Sequence, residues 1–208
     1  MARFSVLLDA CVLVPITLAD TLLRLAEADL YRPLWSQRIL GEVIAAVEEI
    51  HPDLAASGGA RRRAATMDAA FEDASVTGWE NLIEGIDLPD RNDRHVVAAA
   101  QSGRADLIVT ANLADFPPAA LVLLAIEVQH PDDFLLDLLD LDPDRTVRVL
   151  FEQAQATQNP GITVAVLLER LRRCGVPGFA DDAARQLWRG AEGNTRVSRA
   201  SSRSAGPC

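Results

Sequence analysis

Lysine is absent from the chain. All 20 basic side chains among the 208 residues are arginine, set against 30 acidic ones, so the formal net charge is −10. The Ala- and Arg-rich composition matches a GC-rich coding sequence, and no chemistry follows from it. The charge balance excludes a broad electrostatic nucleic-acid binder, because sequence-independent affinity comes from neutralising many phosphates. Aromatics make up only 5% of the residues while 49% are hydrophobic, so the core is built mainly from Leu, Val, Ile and Ala. No apolar run approaches the roughly 18 residues of a membrane-spanning helix. The three cysteines, Cys11, Cys174 and Cys208, are odd in number and show no CxxC spacing, which argues against a disulfide framework. There is no GxSxG elbow and no Walker loop. His51, His95 and His130 lack metal-ligand spacing and read as structural or surface groups, His95 as a helix-surface residue. Met1-Ala2-Arg3-Phe4 leads directly into a strand-like run, unlike a signal peptide, so the chain reads as cytoplasmic.

What is present is an alternation of short apolar runs and helical periodicity. Residues 4–8 suit a strand buried on both faces of a parallel sheet, and the run ends at Asp9. After Pro15 the pattern turns helical through Leu18, Leu22, Leu25 and Ala26. Leu34-Trp35 suits a second strand, and Ser36 an N-cap for a helix carrying Ile39, Leu40, Val43, Ile44, Val47 and Ile50. Those six cover an arc of roughly 140°, with Glu42 roughly 60° beyond its edge, which makes Glu42 a rim residue. Residues 60–74 are again helical, and Val76-Thr77 suits a strand. Residues 92–102 read as a helix stopped by Gly103, with Val96, Val97 and Ala100 facing inward. Strands at 107–110 and 125–128 precede a helix carrying Phe134, Leu135 and Leu138. Strands alternating with helices imply an α/β fold, a parallel sheet flanked by helices on both faces. Past about residue 141 only helical segments remain, at 146–155, 163–173 and 181–188, and from Gly193 the sequence is polar and rich in Ser and Arg. The expected organisation is a sheet domain over 1–140, a small C-terminal helical extension over 141–192 and a disordered tail over 193–208.

Ligands of parallel α/β sheets bind beyond the carboxyl ends of the strands. Asp9 follows the first strand directly. Asp93 lies in the first turn of the helix that leads to strand 107–110, Asn112 and Asp115 follow that strand, and Glu42 stands on its helix rim. Carboxylates from four stretches of chain gathered at one edge repel and push a pKa up. A hard divalent cation with oxygen ligands relieves that repulsion, so Mg2+ or Mn2+ is the expected occupant. Singly, each acid has a plainer role: Asp9 or Asp115 in a turn, Asp90 or Asp93 as a helix cap, Glu42 as a solvated helix residue. The combination is what points to a site.

Asp9-Ala10-Cys11-Val12-Leu13-Val14 after a short strand resembles the opening of PIN domains. Ser36 with Ile39-Leu40-Gly41-Glu42 is similar to their second motif, and Asp90-Arg91-Asn92-Asp93-Arg94-His95-Val96 to their third. Thr110-Ala111-Asn112-Leu113-Ala114-Asp115-Phe116 is similar to the fourth. The resemblance covers roughly residues 4–140 with the motifs in order. It implies a metal-dependent endoribonuclease in which Asp9, Glu42 and Asp93 are the core ligands and Asp115 the fourth acid of the catalytic set. Asn112 stands where many members have Asp, so either Asp115 takes over that position or a second metal is weakly held; Asp90 is a candidate extra ligand, and Thr110 a group that orients a carboxylate or water. The cation makes water nucleophilic near neutral pH and neutralises the scissile phosphate, so no Ser, His or Cys nucleophile is required. Cys11 then packs behind the strand end. Many such proteins are VapC toxins of bacterial toxin–antitoxin pairs, and the helical extension resembles one carried by a subset of them. That implies an RNA substrate, a cognate small antitoxin, a homodimer and no membrane. Arg61-Arg62-Arg63 is the candidate RNA-contacting cluster, with a solvated helix face as the plainer reading. Trp35, Trp79 and Trp188 are read as core before base-stacking groups.

Other classes fit less well. A haloacid dehalogenase phosphatase needs a second Asp two residues after the first, and Cys11 is there. A phospho-acceptor receiver needs an acidic pair near its first strand. A catalytically degenerate PIN scaffold that binds RNA or protein is the remaining alternative, motivated by Asn112.

Overall fold

The computed structural model describes residues 4–157 and 161–189. Five parallel strands form one sheet: β1 (Ser5–Leu8), β2 (Arg32–Ser36), β3 (Ser75–Val76), β4 (Leu107–Val109) and β5 (Glu127–Gln129), in the order β3-β2-β1-β4-β5. β1 is central, pairing Ser5 with Arg32 of β2 and Val6 with Leu107 of β4, and all four of its side chains are buried. Burial on both faces explains why Val6, Leu7 and Leu8 of β1 are apolar without alternation.

The chain steps outward from β1 to β2 to β3, then returns across the sheet to β4 beside β1. The outward steps run through α1 (Ala10–Leu13) and α2 (Ile16–Glu27), then α3 (Gln37–Ile50), α4 (Pro52–Ser57) and α5 (Gly59–Ala70). The return carries α6 (Arg94–Gly103), which packs against β1, β2, β3 and β4. With right-handed crossovers, this reversal places α6 on the face opposite α2 and α3. The reversal also makes the carboxyl edge between β1 and β4 the topological switch point, where open α/β sheets bind ligands.

Local chemistry fixes the boundaries. Ser36 caps α3, its hydroxyl accepting from the Ile39 N–H at 3.2 Å. Ile39, Leu40, Val43 and Val47 face the core, while Ile50, at the end of the expected apolar stripe, is exposed. Gly103 does not stop α6 as expected. It is the last helical residue, and Arg104 takes the left-handed conformation at φ 53°. The glycine answers to packing, because a Cβ there would meet Val76 Cγ2 at 2.7 Å and Leu34 Cδ1 at 3.1 Å.

After β4 come α7 (Pro118–Leu121) and β5, and then helices alone: α8 (Pro131–Leu141), α9 (Pro143–Ala156), α10 (Val164–Arg173) and α11 (Pro177–Arg185). α11 begins earlier than the expected 181, since Pro177 suits a first helical turn. α9 and α10 lie on α2, and α11 on α8 and α10. A buried polar tie fastens α9 to α2: Thr21 donates to Gln153 Oε1 at 2.8 Å, and Gln153 Nε2 donates to the Thr17 carbonyl at 3.1 Å. Among the described residues no helix is long and apolar enough to cross a membrane. The tail expected over 193–208, and residues 190–192 before it, lie outside the described residues.

Candidate active site

The fold brings the carboxyl ends of β1 and β4 side by side, and the residues just past them meet. Asp9, 8% exposed, accepts from the Ala10 N–H at 2.7 Å through Oδ1. Its Oδ2 accepts from the Thr110 hydroxyl at 2.8 Å and lies 3.2 Å from Cys11 Sγ. Cys11 Sγ also lies 3.3 Å from Thr110 Oγ1 and accepts from the Ala111 N–H at 3.2 Å. Burial first, then the Asp9 charge, push the Cys11 thiol up to about 11. It therefore stays protonated near neutrality and supports Asp9 rather than acting as a nucleophile. Each carboxylate oxygen of Asp9 keeps lone-pair capacity for a further partner.

α6 runs back toward the start of β4, so its N-terminus lies at this same edge. Asp90 precedes it and caps the short turn Arg91–Asp93, accepting from the Asn92 N–H at 2.8 Å. Asp93 follows, half-buried. Its carboxyl is pushed up to about 6 by burial first, then by Asp90, Asp115 and Asp9, with His95 acting in the opposite direction. Asp115 closes the short turn Leu113–Asp115 after β4. Asp93 thus lies within reach of the charges of Asp9, Asp90 and Asp115, which come from three separate stretches of chain.

Glu42 is not among the charges that raise Asp93, and approaches the same edge by another route. α3 starts at the carboxyl end of β2, so its second turn also lies at this edge. There Glu42 Oε1 accepts from His95 Nε2 at 2.9 Å and pairs with Arg38 Nε at 3.4 Å. Arg38 also reaches the Asn92 carbonyl at 3.4 Å, tying α3 to the acidic turn. His95 is a correction, since its side chain is only 1% exposed and its ring lies against Trp79. Residues 95–100 of α6 are buried without a break. A helix packed on every side leaves no surface position in that run, and the run Val96-Val97-Ala98-Ala99-Ala100 was the signal that could have shown it.

The remaining expectations divide. Thr110 is fully buried and positions Asp9; its Oγ1 also accepts from the Asn112 N–H at 3.1 Å. The Asn112 side chain is exposed. The arginine cluster is dispersed on α5: Arg61 pairs with Glu48 at 3.4 Å and Arg62 donates to the Ser57 carbonyl at 2.6 Å. Arg63 turns inward to donate to the carbonyls of Leu13 at 2.6 Å and Val14 at 3.1 Å. Trp35 and Trp79 are core residues, whereas Trp188 is 56% exposed.

The donor set suits a hard divalent cation: several carboxylates, one of them raised by burial and by its acidic neighbours, beside a thiol that stays protonated. Among the described residues, however, no three His, Cys, Asp or Glu side chains stand ready-made at coordinating positions. The side chains are gathered and would have to converge.

This geometry defines an α/β protein with a group of carboxylates at its switch point. A family model described as PIN domain matches residues 5–114, just over half of the chain, and one described as VapC50 C-terminal domain matches residues 131–185. The chain belongs to the PIN-domain family. Over 112 residues it is 44% identical to a protein of Mycobacterium tuberculosis (strain ATCC 25618 / H37Rv) named "Putative ribonuclease VapC50". The match covers 54% of this chain and 65% of that protein, so the chain spans slightly less than two thirds of its relative's length. No solved structure matches.

Proposed function

We propose that this protein is a divalent-metal-dependent endoribonuclease, the toxin of a VapBC-type toxin–antitoxin pair. The observation that carries the reading is the gathering of Asp9, Asp90, Asp93 and Asp115 at one sheet edge, where burial first and then Asp90, Asp115 and Asp9 push the Asp93 carboxyl up. Such crowding destabilises an empty site and favours a bound cation. The likeness to a protein named as a ribonuclease supports the same chemistry, and the match of residues 131–185 supports the toxin class.

In this reading Asp9, Glu42, Asp93 and Asp115 are the catalytic acids that hold Mg2+ or Mn2+, with Asp90 as a further ligand. The cation supplies a nucleophilic water and neutralises charge on the scissile phosphate. Thr110 and Cys11 orient Asp9, and Asp115 stands in for the acid that Asn112 lacks. RNA meets the acidic edge with Arg38, which reaches the turn carrying Asp93, as a candidate for phosphate contact, and Arg61 and Arg62 as further candidates on α5. Residues 1–140 form the nuclease unit and 141–192 its helical extension. A cognate small antitoxin offering a basic side chain to the carboxylates blocks the site in the cytoplasm, where the toxin works as a homodimer.

The test is cleavage of a panel of structured RNAs by purified protein with Mg2+, Mn2+ or EDTA. Cleavage is expected with either metal, and Asp9→Asn or Asp93→Asn should abolish it while circular dichroism stays unchanged. Undiminished cutting by both variants would reject the assignment. Metal binding without cleavage of any RNA would leave the degenerate scaffold.

A further inference from the structure

We infer that His95 is a positioning residue, an imidazole that holds Glu42 in place for the divalent cation and so sets metal affinity. The inference rests on the nuclease reading above, specifically on Glu42 as a ligand. Its own evidence is the environment of the ring. The His95 side chain is 1% exposed, yet its Nε2 stands 2.9 Å from Oε1 of a glutamate that is 40% exposed. Nδ1 is buried with no hydrogen-bond partner among the described residues. A buried ring with one nitrogen unsatisfied costs free energy that Phe or Leu at the same place would not. That cost is understandable if the other nitrogen has work to do at the surface, and it points to Glu42.

The packing makes the imidazole a rigid arm. Trp79, itself 8% exposed, lies against the ring with centroids 6.0 Å apart. His95 sits in the first turn of α6, two residues beyond Asp93, so the Nε2 contact fixes the α3 carboxylate relative to the turn that carries Asp90 and Asp93. Arg38 reaches the same oxygen of Glu42 from a 43% exposed position at a longer 3.4 Å. Solvent screens that pair, and its long side chain keeps its freedom. The buried donor therefore sets where Glu42 stands. Partners of this kind, which orient a ligand without touching the metal, typically change metal affinity about 10–100-fold when removed.

The test is Mn2+ binding to the full chain without RNA, followed by electron paramagnetic resonance, for wild type, H95L, H95Q, E42Q, D93N and the H95L/E42Q double variant. H95L should bind Mn2+ about 10–100-fold more weakly. H95Q, whose amide nitrogen extends to nearly the same point as Nε2, should recover most of the loss. The double variant should bind no worse than E42Q alone, because the effect passes through Glu42. Should H95L fail to fold by circular dichroism, H95N, whose amide falls short of Glu42, takes its place with the same expectation. Wild-type affinity in H95L or H95N, or losses that simply add in the double variant, would overturn the inference while leaving the nuclease reading intact. If E42Q and D93N bind Mn2+ as wild type does, or wild type binds none, the nuclease reading fails and this inference falls with it.

Discussion

The Thr110 hydroxyl donates to Asp9 Oδ2 at 2.8 Å, joining residues 101 positions apart in the chain. The bond crosses from the end of β4 to the end of β1, the two strands that flank the switch point. Replacing Thr110 by Val keeps the shape and removes the donor from a buried carboxylate, which should cost about 1–3 kcal/mol. Divalent-metal affinity should also fall, by roughly tenfold. Ser at the same place keeps the hydroxyl and should restore both. Denaturant unfolding in EDTA and a metal titration separate the two effects; a Val variant with unaltered metal binding would show that Asp9 needs no such support.

Asp93 supplies the pH dependence. Its carboxyl is raised from 3.8 to about 6 by burial and by its acidic neighbours, so the folded protein favours the protonated form. The stabilisation this gives is fully present below the unfolded value and is lost as pH rises through about 6. At pH 7.5 without metal the ionised Asp93 is therefore a liability, and Asp93→Asn should be the more stable protein. For a half-buried group the gain is on the order of 1 kcal/mol after solvent screening, and it should shrink to a small fraction of that by pH 4. A divalent cation should reverse the order, stabilising only wild type. Urea midpoints at pH 4 and 7.5, with EDTA and with Mn2+, check this; an Asn variant weaker than wild type at pH 7.5 in EDTA would contradict the crowding.

Much of this arrangement was legible in the sequence because periodicity and strand-end rules act locally. The apolar run before Asp9, the Ser36 cap and the strand at 107–110 each follow from a few adjacent residues, and alternating elements imply the parallel sheet. What escaped depends on contacts between distant elements. His95 is buried because α6 is covered on all sides, and Gly103 is glycine because Val76 approaches it, not because the helix turns there. The link from His95 to Glu42 joins α3 to α6, which no local pattern announces.

Arg63 shows the same limit from the other direction. Three consecutive arginines suggest a phosphate-binding patch, yet the Arg63 guanidinium reaches 50 residues back to the carbonyls that end α1, and burial lowers its pKa. These carbonyls lie just after Asp9, so the clamp steadies the turn that begins the site. Arg63→Ala should destabilise the protein by about 1.5–3 kcal/mol, as expected for lost hydrogen bonds to a charged donor. Arg63→Lys should rescue little, because an ammonium lacks the planar fork that spans both carbonyls. Changing Arg61 and Arg62 together should move stability by no more than about 0.5 kcal/mol. Thermal unfolding distinguishes them, and equal effects at the three positions would mean that the clamp is weak.

The helical extension offers a sharper test of how its last helix is held. Asp132, in the first turn of α8, accepts from the N–H groups of Gly178 at 3.0 Å and Phe179 at 2.7 Å, capping α11 from another helix. The carboxylate comes so close that a Cβ on Gly178 would lie 2.9 Å from Asp132 Oδ2. Gly178→Ala should therefore destabilise by about 1–2 kcal/mol even though Ala is the better helix former, because backbone donors and carboxylate must separate. Asp132→Ala leaves those donors without their cap and should cost about 0.5–2 kcal/mol. Combined, the two changes should cost less than their sum, since Ala at 132 removes the atom that Ala at 178 would strike. A double-mutant cycle by chemical denaturation measures that coupling directly. Additive losses would mean that the Asp132 carboxylate and the start of α11 are not in contact in solution.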